Sequence, residues 1–170
     1  VSRMHWFENP GDASGEFKLH EIGEGGGALA SLHDLDADGD QDVLAAQFWG
    51  PESLVWFEQS GKHGTKWTKH IINDTTGRGF MTRVADMNGD GAVDVVYGNH
   101  NNEEAADAEN QTMGVYWFEV PPADKLTTLA NWDAYMHTIH EGFMNLGTGN
   151  GNSAGAPGVI NVGDVDGDCD

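Results

Sequence analysis

The chain has 170 residues, 38% of them hydrophobic, with 24 glycines and 8 basic against 28 acidic side chains, for a net charge of −20. That acidity argues against nucleic acid and anionic membrane as partners, because phosphate binding needs clustered Lys and Arg, and it makes cations the natural counterpart. No stretch approaches the ~20 apolar residues of a membrane helix, and the start at Val1 lacks an apolar signal core, so the chain reads as mature or excised sequence without membrane insertion.

Three short patterns recur in the same order along the chain. Trp6-Phe7-Glu8 and the aromatic-x-x-His-x-Ile run from Phe17 to Ile22 come first. A β-forming run from Ala28 to Leu32 then leads into Asp34-Leu35-Asp36-Ala37-Asp38-Gly39-Asp40-Gln41-Asp42, and a second run, Val43 to Ala46, follows. Trp56-Phe57-Glu58 and the stretch from Trp67 to Ile72 repeat the first two patterns. The cycle restarts with Phe80 to Val84, the loop Asp86 to Asp94, the run Val93 to Tyr97, Trp117-Phe118-Glu119 and a looser copy from Tyr135 to Ile139. A third acidic run begins at Asp164, Asp166 and Asp168. The loop starts lie 52 and 78 residues apart.

Four short strands per unit of about 50 residues, separated by Gly, Asn and Asp turns, predict an all-β fold of β-propeller blades, each of four antiparallel strands. The expected layout is the end of one blade over 1–22, a blade over 28–72, a blade over 80–139 with an insertion at 99–112, and the start of another over 157–170. A second Gly- and Asn-rich insertion runs from Glu141 to Pro157. Long connections carry function more often than their share, although a solvated loop is the plainer reading of each.

The acidic loops carry the clearest chemistry. Oxygen ligands at alternate positions beside a turn-making glycine suit a hard cation of calcium's size. In the first loop the candidate ligands are Asp34, Asp36, Asp38, the carbonyl of Asp40, and Asp42. In the second they are Asp86, Asn88, Asp90, the carbonyl of Ala92, and Asp94; in the third, Asp164, Asp166 and Asp168. An EF-hand would place a Glu at position twelve, where Ala45 and Tyr97 stand, and would have helical flanks. Magnesium wants a stricter octahedron and zinc wants nitrogen or sulfur, so Ca2+ is the expected ion. Acidic β-turns without metal are the bland alternative. Twelve of the 28 acidic residues crowd into these three loops, however, and their mutual repulsion needs a counter-charge.

These residues resemble the FG-GAP/VCBS family of calcium-binding propeller repeats, whose hallmark is an Asp-x-Asp-x-Asp-Gly-x-x-Asp loop between the first two strands of a blade. The resemblance implies a ring of about seven blades, so the remaining blades are expected from a longer parent chain or from other chains. The third loop departs from the pattern, with Cys169 where Gly is expected.

His20 and His70 are read as structural residues facing a neighbouring strand, and Trp6, Trp56 and Trp117 as packing between blades. Trp49, His100, Asn101 and Asn102 form the candidate ligand site, because aromatic and amide groups near loops suit sugars. The functional expectation is a secreted or cell-surface calcium-binding module that recognises a glycan or an extracellular protein. The alternative is the propeller part of a sugar lyase or dehydratase resembling aldos-2-ulose dehydratase, with His100, His137, His140 and Glu141 as candidate groups.

Overall fold

The computed structural model describes residues 2–61, 64–100, 113–142 and 159–165. The fold is all-β. Its strands are β1 (Arg3–Glu8), β2 (Lys18–Glu24), β3 (Gly27–His33), β4 (Asp42–Gln47), β5 (Leu54–Gln59), β6 (Trp67–Asn73), β7 (Arg78–Ala85), β8 (Asp94–His100), β9 (Gly114–Phe118) and β10 (Met136–Glu141). Among the described residues they form three antiparallel sheets: the hairpin β1-β2, the meander β3-β4-β5-β6 and the meander β7-β8-β9-β10. The two four-stranded meanders are the expected propeller-like blades. β8 runs through His100, where it pairs with Arg78, so Asn99 and His100 belong to a strand and not to the insertion expected from 99. β10 likewise extends to Glu141, the residue at which the second insertion was expected to start.

Strand β4 shows how the blades are held. All six of its residues are buried, so its alternating side chains enter two different cores. Val43 and Ala45 join Val55, Phe57 and Ile22 on one face, with Met4, Trp6 and Trp67 packed against them. Leu44 and Ala46 join Leu54, Trp56 and Ile72 on the other, against Val95, Tyr97, Tyr116 and Phe118 of the next blade. A period-two pattern with both faces apolar therefore stacks sheet on sheet.

The Trp-Phe-Glu motif follows the same logic. Trp6 and Trp56 face the blade that follows; Phe57 and Phe118 face the one before and are 1% and 0% exposed. Phe7, their counterpart in the first hairpin, is 63% exposed. Each motif also meets the histidine of the neighbouring outer strand. Trp6 stacks on His20, Trp56 on His70 and Trp117 on His137, with ring centroids 4.3, 4.7 and 4.1 Å apart. Glu8 and Glu58 hold the first two imidazoles through Nε2 at 2.8 and 2.6 Å, and Glu119 lies 3.9 Å from the third. These histidines face a neighbouring strand, and they fasten the outer edge of each sheet.

Trp132, in the connection between β9 and β10, is fully buried between the two blades, 6.3 Å from Trp56. Its backbone N–H donates to the Ile72 carbonyl at 2.8 Å, which pins that connection onto β6.

Gly79 sits at a close approach between the blades. A Cβ there would run into the Ser53 carbonyl and lie 2.8 Å from the Gln47 amide nitrogen, two backbone groups already joined by a 2.9 Å hydrogen bond. Neither can swing aside as a flexible side chain would. Gly79→Ala should therefore lower stability by about 3 kcal/mol, measured by chemical denaturation, with Gly163→Ala, whose Cβ would meet nothing within 4 Å, as the mild comparison.

Candidate functional site

The two acidic loops connect the first and second strands of each meander, β3 to β4 and β7 to β8. Their shape comes from carboxylates turned onto the loop's own backbone. In the first loop the Asp38 and Gly39 amides donate to Asp34 at 3.1 and 3.0 Å, and the Asp40 amide donates to Asp38 at 2.8 Å. In the second loop the Gly89 and Gly91 amides donate to Asp86 at 2.7 and 2.8 Å, and the Ala92 amide donates to Asp90 at 2.8 Å. Short Asp and Asn side chains bonding backbone a few residues on is the ordinary chemistry of Asx turns, and here four such bonds in the first loop and five in the second wind each loop around its acids.

Asp42 and Asp94 close the loops from inside the sheets and are 0% and 2% exposed. Asp42 accepts from the Leu35 amide at 2.9 Å and from the Gln59 amide at 2.8 Å, which ties the bend to β5 as well as to β4. Asp94 accepts from the Met87 amide at 2.8 Å. Burial pushes both carboxyls above the ordinary carboxylate range, and the same backbone donors pull them partly back. Asp36 is raised too, first by burial and then by the neighbouring charges of Asp42 and Asp38. Asp86, wrapped in amides from Gly91 and Gly89, is lowered.

Asp34, Asp36 and Asp42 each bring a ligand atom within 4.8 Å of the others. Among the described residues no other trio of His, Cys, Asp or Glu converges so far, and in the second loop Asn88 takes the place of Asp36. Asp38, Asp40, Asp90 and Ala92 line the same loops. Asp164 is described and exposed, whereas Asp166 and Asp168 lie outside the described residues.

A cation fits this donor set. The groups are all oxygen, one carboxylate is fully buried, and three carboxylates sit close enough to share an ion. When bound, an ion would supply positive charge among these crowded acids.

Residues 34–97 match the FG-GAP-like repeat. The matched span begins at Asp34, takes in both acidic loops and stops within β8. No curated protein and no solved structure matches the chain.

The expected ligand cluster is partly assembled at the other end of the sheets. Trp49 follows β4 and is exposed, and His100 ends β8; Phe48 lies between them, 4.6 Å from one ring and 5.3 Å from the other. Asn101 and Asn102 lie outside the described residues. Arg78, which stacks on both Phe48 and Trp49, is absent from any sequence motif. The strand register would have pointed to it, since Arg78 pairs with His100. His137, a candidate group of the enzyme alternative, occupies the same position on Trp117 that His70 occupies on Trp56. His140 and Glu141 are exposed on β10.

Two predictions come from this geometry. Ala37 adopts φ 60°, where the second loop has Gly89 at 75°. The left-handed region costs a residue with a Cβ on the order of 1 kcal/mol, so Ala37→Gly should raise stability by about 0.5–1 kcal/mol. The second concerns protons. A carboxyl raised by folding adds stability below its unfolded pKa and loses it as pH rises through the folded value. In EDTA, the melting temperature of Asp42→Asn minus that of the parent should therefore shrink as pH falls from 7 to 4. A constant difference would show that Asp42 is not raised.

Proposed function

We propose that this chain is a calcium-stabilised propeller-type module that binds a glycan or a protein outside the cell. The convergence of Asp34, Asp36 and Asp42 at a strand-to-strand bend is the observation that carries this reading. Asp34, Asp36, Asp38 and Asp42, with the Asp40 carbonyl, would hold the ion in the first loop. Asp86, Asn88, Asp90 and Asp94, with the Ala92 carbonyl, would hold it in the second, more weakly for one charge fewer.

The ion's work is structural. It neutralises buried and crowded carboxylates on the loop that joins two strands of a blade, so the sheet no longer resists closing around its own charge. Calcium at the millimolar level outside cells suits short Asp-rich loops of this kind, which supports a secreted or cell-surface location. Further blades, from the same polypeptide or another, are the partners that the sheet faces suggest. Phe7 and Leu32 are 63% and 64% exposed, while their repeat counterparts Phe57, Phe118 and Val84 pack between sheets.

The test is thermal unfolding against calcium. With a dissociation constant of ~0.1 mM, 2 mM free calcium should add about 2 kcal/mol, or roughly 4–8 °C for a chain of this size. Zinc should not substitute for it. Asp36→Ala should abolish most of that gain yet change the melting temperature little in EDTA. Identical melting with and without calcium would remove the metal from the reading.

A further inference from the structure

The end of the sheets opposite the acidic loops holds a constellation that the fold does not require. Phe48 and Trp49 come from one blade, just past β4; Arg78 and Phe80 on β7 and His100 on β8 come from the next. Phe48 stands nearly perpendicular to Trp49, with centroids 4.6 Å apart at 74°. His100 meets Phe48 edge-on at 5.3 Å and Phe80 at 6.1 Å. The Arg78 guanidinium carbon lies 5.4 Å from the Phe48 ring centre and 5.6 Å from that of Trp49. The cluster spans the seam between two blades and is separated from the metal loops by the length of β4, roughly 17–20 Å for a strand of this length.

Trp49 is the anomaly. Trp56 and Trp132 are fully buried, and an indole is mostly buried on average, whereas Trp49 is 69% exposed. It is nevertheless held, by Phe48 on one side and by the guanidinium against its ring. An indole fixed in this way loses little further freedom on binding, which is what makes a good contact platform.

The rim has its own chemistry. Arg78 presents a fork of N–H donors, His100 offers a further ring nitrogen, and none of these five residues is acidic in a chain of net charge −20. An exposed indole with donors beside it suits a ligand with one apolar face and a fringe of oxygen acceptors. Nucleic acid has such rings but brings phosphates that the chain's charge repels. A folded protein partner would need about 800 Å² of complementary surface, far more than five residues at one seam supply. A sugar ring meets both conditions: its axial C–H groups form an apolar face, and its hydroxyl and ring oxygens accept hydrogen bonds.

We propose that Phe48, Trp49, Arg78 and His100 form a binding site for one pyranose unit of a glycan, stacked on the Trp49 indole with its oxygens accepting from Arg78 and His100. This rests on the binding-module reading above and assigns that role to a place.

The full chain in 2 mM calcium would be titrated with cellohexaose, chitohexaose and hexagalacturonate, followed by tryptophan fluorescence and calorimetry. At least one should bind. Trp49→Ala should weaken that binding about tenfold or more, Trp49→Phe should retain most of it, and Arg78→Met should weaken it without replacing the stacking. Because Trp49 is exposed, its two variants should melt within a degree or two of the parent, and the melting of Arg78→Met would be measured beside its binding. Binding that is unchanged in Trp49→Ala would overturn this site while leaving glycan recognition standing. No binding by any of the three oligosaccharides would overturn it as well, and the calcium-dependent melting of the same samples would show whether the metal reading survives on its own.

Discussion

Strands β4 and β5 are apolar on both faces, and everything else in the structure is arranged to cover them. A strand at the surface of a sandwich needs one buried face. Here Val43, Ala45, Val55 and Phe57 require a sheet on one side, and Leu44, Ala46, Leu54 and Trp56 require another on the opposite side. Burial of a large apolar side chain is worth about 1.5–3 kcal/mol, so four residues per face are enough to decide which sheets adjoin. The close approach at Gly79 follows from this demand, because a Cβ there would strike the Ser53 carbonyl beside the end of β4. So does the position of Trp132, which fills the space left between two twisted sheets.

Stacking sheets in this way brings the bends at one end of each sheet close to buried surface, and those bends are acidic. Asp42 and Asp94 are the first residues of β4 and β8, so the strands that build the core also carry a carboxylate inside it. Backbone amides from Leu35, Gln59 and Met87 satisfy these oxygens as hydrogen-bond acceptors, but amides cannot cancel charge. Burial first, and the neighbouring acids after it, push the carboxyls of Asp36, Asp42 and Asp94 upward. The two ends of the blades thus differ in kind: one concentrates negative charge on turns, and the other gathers aromatic rings around a guanidinium. The Trp–His–Glu contacts on the outer strands serve neither end and secure the sheet edge.

Much of this was legible before any coordinates. Asp at alternate positions followed by Gly announces a turn that collects oxygen atoms, and the alternation of Trp56, Phe57 and Glu58 announces a strand with two apolar faces and a polar end. The pairing of His70 with Glu58 was half visible, in that the histidine recurred on the next strand without naming its partner. What misled was the loop boundary at Asn99 and His100. These polar residues read as the start of an insertion, yet the β7–β8 ladder continues through them because Arg78 and Gly79 offer backbone partners.

The amino-acid order by itself determined the repeat, the all-β class and the acidic bends, since each depends on residues within a few positions of one another: side-chain alternation, Asx hydrogen bonds and glycine's freedom to turn. Only the tertiary structure decided that Asp34 and Asp36 converge with Asp42, that Trp132 is core while Trp49 is exposed, and that Arg78 lies against Trp49. Those facts depend on which sheet faces which across long stretches of chain, and packing between surfaces distant in sequence leaves no local pattern to read.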